Sequence, residues 1–391
     1  MKRISAQFIL TNTGAPLRRS VITTGDDGTI ISIEDTPGSL EKSQLVEFYN
    51  GIIIPGFVNC HCHLELSHLK GAVPPGTGLV EFLRQLQNLR DNNPDAILSS
   101  AISADHDLYS EGIELCADIC NTPATFGIKK TSRIRYLNML EVFGTNPDVA
   151  VNRMDEIIRL YRDSEKSGLD SYIVPHTVYT VSLPLFRLIK EKTLKNRVTS
   201  IHFMETDGED SFVSDHTGPL KESFEKAGML PRELKTPENI TSAILNEVTP
   251  SGSLILVHNT YSERDIAKKI LKRINTFWCL CPTANLYIEN KIPPVEMLVS
   301  EGCEIVIGTD SLASNRKLSI LSELKILQHY YPFFRLEELI RWGTINGARA
   351  LGEDQNFGKI EPGTKPGLLL LQNADLVNFR LLPETTVSRL L

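Results

Sequence analysis

Residues 55–63 read Pro55-Gly56-Phe57-Val58-Asn59-Cys60-His61-Cys62-His63: Pro-Gly punctuation, a short apolar rise, then two histidines one residue apart. In an extended strand, residues two apart project from one face, so His61 and His63 can share a single ligand. The same alternation turns Cys60 and Cys62 to the opposite face. That argues against a four-ligand Cys-His-Cys-His zinc site and for two small packed hydrophobes. Alone, His-x-His is a weak signal, and its weight comes from what recurs downstream. Short apolar strands are predicted at Cys116–Cys120, Arg135–Val142, Tyr172–Pro175, Thr199–Phe203, Leu254–His258, Thr276–Leu280 and Glu304–Gly308. Helical stretches lie between them, among them Leu79–Arg90, Val151–Lys166 and Leu318–His329. Counting the strand that ends at His61, there are eight. Strand and helix in alternation imply a parallel sheet, and eight strands favour an α/β fold of the (β/α)8 TIM-barrel type.

In such a barrel the chemistry gathers at the C-terminal ends of the strands. Strand four ends at His176, strand five at His202, strand six at His258 and strand eight at Asp310. His61, His63, His202 and Asp310 together make three neutral imidazoles and one carboxylate. That set suits Zn²⁺ or Fe²⁺ with a position left for water. His68, His106, His216 and His329 fall in loops or helices without partners and carry no assigned role.

The chain ends have a different texture. Val21-Ile22-Thr23, the turn Gly25-Asp26-Asp27-Gly28 and Thr29-Ile30-Ile31-Ser32-Ile33 read as antiparallel strands, and Leu368–Leu371 continues the pattern near the other terminus. The expected organisation is a small β-sandwich built from residues 1–55 and 356–391 around a barrel at 56–355. Lys+Arg number 41 against 48 Asp+Glu, a formal charge of −7, which argues against a nucleic-acid partner. The basic run Lys129, Lys130, Arg133 and Arg135 reads as a short solvated loop, and Asp207–His216 as an exposed acidic loop. No apolar run reaches the ~18 residues of a membrane helix or the ~7–15 of a signal peptide. With seven irregularly spaced Cys, a disulfide framework is not expected. A cytoplasmic location follows.

Taken together, the motifs resemble the amidohydrolase superfamily, in its aminohydrolase branch of S-adenosylhomocysteine, methylthioadenosine, guanine and aminofutalosine deaminases and triazine hydrolases. The resemblance is carried by Pro55–Leu64, Pro175-His176-Thr177-Val178-Tyr179-Thr180-Val181-Ser182, His202-Phe203-Met204-Glu205-Thr206, Val257-His258-Asn259, Cys281-Pro282-Thr283-Ala284-Asn285-Leu286, Gly308-Thr309-Asp310-Ser311-Leu312-Ala313-Ser314-Asn315 and Asn346-Gly347-Ala348. It implies that His61, His63, His202 and Asp310 hold the metal and that Glu205 shuttles protons. His258 then hydrogen-bonds the attacking water or the developing oxyanion, Asp310 helps orient that water, and His176 contacts substrate. Binuclear relatives place a carboxylated Lys at the end of strand four. Here that strand reads Tyr172-Ile173-Val174-Pro175-His176, so one divalent ion is implied, Zn²⁺ first and Fe²⁺ as the alternative. The C-terminal Gly358–Leu368 segment departs from the family by lacking its Ala-Asp pair.

The implied activity is hydrolytic deamination of an aromatic amine such as a purine base or adenosine-type nucleoside, with water as co-substrate. Residues His63-Leu64-Glu65-Leu66-Ser67-His68 look more like aminofutalosine deaminases than the S-adenosylhomocysteine group. The loop Leu69–Gly78 is expected to shape the pocket. The alternative is hydrolysis of another C–N or C–Cl bond, of the triazine or cyclic-amide type. A non-catalytic binding barrel would be expected to have lost ligands that this chain keeps. A homodimer is the oligomeric candidate, with no membrane partner.

Overall fold

The computed structural model describes residues 1–40, 45–90, 93–228, 230, 237–248, 252–273 and 275–391. Eight parallel strands form the barrel: β1 Phe57–Cys62, β2 Ile113–Cys120, β3 Arg135–Val142, β4 Asp170–Pro175, β5 Val198–Phe203, β6 Ser253–His258, β7 Thr276–Leu280 and β8 Glu304–Ile307. Their apolar runs are continuous because both faces are buried. In β6, Ile255 and Val257 face the barrel interior beside Val58 and Cys279, while Leu254 and Leu256 face the helices outside.

Regular ladders join the strands as two halves, β1-β2-β3-β4 and β5-β6-β7-β8. The seams between the halves are sewn at the predicted site residues. At the first seam, the His202 amide donates to the His176 carbonyl at 2.9 Å. At the second, the amides of Thr309 and Asp310 both donate to the His61 carbonyl, at 2.9 and 3.1 Å. The buried Asn59 amide reinforces this seam, giving one hydrogen bond to Thr309 Oγ1 at 2.8 Å and taking one from Thr309 N at 3.2 Å. Gly308 permits the close approach: a Cβ there would lie 2.7 Å from His61 Cβ and 2.9 Å from Cys279 Sγ.

The register of β1 against β2 shifts between Asn59 and Cys62. Such an irregularity re-aims side chains beside active sites. Cys60 consequently packs in the barrel interior and Cys62 in the outer core, so strict alternation fails at this strand end. Both cysteines are buried hydrophobes, as expected.

Strands from both chain ends share one seven-stranded mixed sheet. Leu368–Gln372 runs antiparallel to Glu47–Pro55, with Ile52 opposite Leu371 and Ile54 opposite Leu369. Ile53, Leu368 and Leu370 close the sheet's own small core with Ile4 and Ile22, whereas Ile52, Ile54, Leu369 and Leu371 join the main core. Among the described residues no helix is long and apolar enough to cross a membrane.

Two sequence expectations are corrected. Lys129 is not in a solvated loop: it lies in the helix Phe126–Thr131, with its ammonium fully buried against Asp118. Arg135 opens β3 beside Asp170 and Glu353. Asp207–His216 is largely the helix Glu209–Asp215, which buries Glu209, Phe212 and Val213. Charge pattern misled at two residues in particular: Lys129 is buried against a carboxylate and Glu209 against three backbone amides, while Lys130, Arg133, Asp207 and Asp215 stay exposed.

Candidate metal centre and active site

The site is built on strand ends and the turns that follow. His61 Nε2 and His63 Nε2 face each other at 3.1 Å. Asp310 Oδ1 lies 3.6 Å from the first and 3.4 Å from the second. Nitrogens of His61, His63 and His202 all fall within 4.8 Å of one another. Burial, with His176 nearby, pushes His61 down to about 3, and burial likewise pushes His202 down to about 3. His63 is also lowered, chiefly by burial. These imidazoles are therefore neutral bases whose lone pairs converge. Unprotonated lone pairs facing one another in a buried site repel, and a cation between them removes the conflict. The donor set thus fits one divalent ion.

The neighbouring groups are organised too. His202 Nδ1 donates to the His176 carbonyl at 3.1 Å, which leaves the Nε2 lone pair free to face the cluster. Ser314 Oγ donates to Asp310 Oδ2. Glu205 Oε1 lies 3.5 Å from His258 Nε2. Burial foremost, then Asp310, raises Glu205 well above the usual carboxylate range, while burial lowers His258. Burial thus disfavours charge on both partners and weakens the case for a Glu205–His258 ion pair. His176 lines the same cavity, with Nδ1 bonded to Thr180 Oγ1 at 2.8 Å.

Four residues at these turns have φ in the left-handed region although none is glycine: Met204 (50°), His258 (80°), Asn259 (58°) and Asp310 (57°). Such conformations cost roughly 1–3 kcal/mol each and survive where the surroundings over-determine them.

The cavity over the centre measures about 90 Å³ and is roofed by Leu79, Phe82, Leu83 and Leu86 of the helix Leu79–Leu89. Leu79 also borders an outer cavity of about 430 Å³ beside Thr206, Asp207 and Glu289.

Residues 52–386 match the amidohydrolase family. The chain belongs to this family. An adenosine deaminase of Helicobacter pylori is 25% identical over 82% of this chain and 79% of its own length. The aminofutalosine deaminase of Helicobacter pylori in complex with methylthio-coformycin superimposes with a TM-score of 0.81. That similarity is at 20% identity and covers 96% of this chain and 93% of that one. An adenosine deaminase of Xanthomonas campestris with bound zinc gives a TM-score of 0.69 at 20% identity, covering 96% and 85% of the two chains.

This amidohydrolase also carries polar residues that sequence reading did not single out. Glu141, at the end of β3, is buried with Oε1 3.3 Å from His202 Nδ1. Asn121 bonds Glu141 Oε2 at 3.3 Å and accepts from Arg90 at 2.7 Å. Arg90 also pairs with Glu65 at 2.6 Å. Arg90, Asn121 and Glu141 line the cavity with His176. Glu141 occupies a strand end as His176 and His202 do, and that position was the signal available for finding it.

Proposed function

We propose that this amidohydrolase is a metal-dependent hydrolytic deaminase releasing ammonia from an aromatic amine, with an adenosine-type nucleoside the favoured class. The barrel at 56–355 is the catalytic unit, and residues 1–55 with 356–391 support it. The observation that carries the reading is the convergence of three neutral imidazoles, Asp310 and the Glu205–His258 pair on one cavity.

His61, His63, His202 and Asp310 would hold the ion, Zn²⁺ in first place given the zinc-bound relative and Fe²⁺ as the alternative. When bound, such an ion supplies Lewis-acid chemistry that lowers the pKa of water from ~15.7 toward ~7. Glu205, holding a proton in a buried setting, delivers it to a ring nitrogen beside the amino-bearing carbon and makes that carbon electrophilic. Asp310 and His258 orient the attacking water and share its proton, and His258 then faces the developing oxyanion. The proton taken from the water passes to the amino group, ammonia leaves as the C–N bond breaks, and the adduct's hydroxyl proton returns to Glu205, leaving a carbonyl beside the protonated ring nitrogen. His176 supports the ring from β4. Leu79 borders both the cavity over the centre and the outer one, whose volume of about 430 Å³ lies in the ~300–1,000 Å³ range of small-molecule sites.

Ammonia release tests the reading. The zinc- or iron-loaded protein is assayed on adenosine, methylthioadenosine, S-adenosylhomocysteine, aminofutalosine, guanine and an aminotriazine. Ammonia from an adenosine-type compound is expected. Chloride or alkylamine from a triazine, without ammonia, would move the assignment to the alternative hydrolysis. No hydrolysis of any compound would reject the proposal.

A further inference from the structure

The stretch His202-Phe203-Met204-Glu205-Thr206-Asp207-Gly208-Glu209 leaves β5 after Phe203 and must turn at once to bring Glu205 back over the centre. Met204 makes the turn in the left-handed region, an unfavourable place for an unbranched, non-glycine residue. The turn also takes the next amides out of the barrel's ladder, so three consecutive N–H groups need acceptors. All three find them on one side chain. Glu209 Oε2 accepts from Met204 N at 2.8 Å, and Oε1 accepts from Glu205 N at 2.7 Å and Thr206 N at 3.0 Å. Glu209 is 1% exposed, so water does not compete for these bonds; the same burial raises its carboxyl to about 7, with the three amide bonds acting in the opposite direction. Gly208, at φ 79°, lets the chain double back, and a Cβ there would lie 2.9 Å from Pro219. From the other side, the Tyr261 amide donates to the Met204 carbonyl at 2.9 Å.

A carboxylate is the side chain that suits this task. Its two oxygens accept at several positions and offer no donor, whereas a glutamine would turn an NH₂ toward at least one of the three amides. We propose that Glu209 is the positioning residue for the proton shuttle: by clamping residues 204–206 it sets where the Glu205 carboxyl sits relative to His258. Glu209 itself does not line the cavity over the centre. The inference rests on the role assigned to Glu205 above and adds a residue that acts only through it.

The test uses the full-length, metal-loaded chain and the near-isosteric variant Glu209→Gln. With whichever panel compound gives the most ammonia, kcat should fall about 10- to 100-fold, KM should stay within about twofold, and one metal per chain should remain. Glu205→Gln alone removes the shuttle, so adding Glu209→Gln to it should cost less than about twofold further, because residues acting as a unit are non-additive. An undiminished effect of Glu209→Gln in the Glu205→Gln background would overturn the proposal, as would loss of metal or an unchanged kcat in the single variant. A crystal structure of Glu209→Gln decides independently of substrate. The Glu205 carboxyl should be displaced from His258, and an unmoved carboxyl would overturn the inference even if no panel compound were deaminated. That last result, by contrast, would count against the proposed function alone.

Discussion

His61 and His202 are brought down to about 3 by burial, while burial raises Glu205 well above its usual range. Burial in one cavity thus shifts bases and acid alike toward their neutral forms, because a neutral form avoids the cost of desolvating a charge. A consequence for metal binding follows from the sign of the shift. Protons compete with a metal only near or below a ligand's own pKa, and burial holds His61 and His202, the proposed ligands, at about 3, far below the ordinary histidine value near 6.5. Zinc affinity, measured by chelator competition, should therefore stay nearly flat from pH 7.5 to 5.5. A steep loss on crossing 6.5 would show that the imidazoles are not held neutral. Glu205→Gln should retain the metal and lose about 10²–10⁴-fold in kcat, the range for general acid–base transfer. Near-normal turnover with metal bound would remove Glu205 from this role. At this scale His61, His63, His202, His258 and Asp310 were legible because they are uncommon residues at strand ends. Glu141 and Glu209 were not, since glutamate is common on surfaces and only folding shows which ones are buried.

At the scale of elements, buried carboxylates fasten the turns that carry the site. Asp118, at the end of β2, accepts the Leu64 amide at 2.7 Å, immediately after His63. Its other oxygen pairs with Lys129, which also bonds Asn138 Oδ1 at 2.8 Å. Glu323, on the helix Ile320–Tyr330, accepts the Thr283 amide at 2.8 Å and the Asn315 side chain at 3.0 Å, tying the turn after β7 to the turn after β8. Removing one partner of a buried pair strands the other charge. Asp118→Asn should therefore destabilise the protein by about 3–5 kcal/mol, read from the urea midpoint. The double variant Asp118→Asn with Lys129→Met should lose less than Asp118→Asn alone, because no uncompensated ammonium remains. An equal loss in both would show that the Leu64 bond, not the ion pair, dominates. Strand order and helix positions were readable from periodicity to within a few residues. The Asn59–Cys62 irregularity was not, because it arises from pairing with β2 rather than from any residue in β1.

For the whole molecule, the terminal sheet and barrel share a core through Ile52, Ile54, Leu369 and Leu371. Deleting residues 368–391 would leave Glu47–Pro55 without its antiparallel neighbour and expose that apolar face, a template for aggregation. The truncated chain should accumulate in the insoluble fraction, and a soluble product with an unchanged calorimetric transition would show that the barrel does not depend on the sheet. The sequence by itself determined the kind of fold and the principal chemistry. Alternating apolar runs fix the faces of strands, and histidines placed at their ends have few other reasons to recur. Only the tertiary structure decided which acids are buried, that Lys129 is an interior cation, and that His61, His176, His202 and Asp310 also sew the barrel's two seams. Those properties belong to pairs of residues distant in sequence. Burial and partnership come into being when strands from opposite ends of the barrel meet.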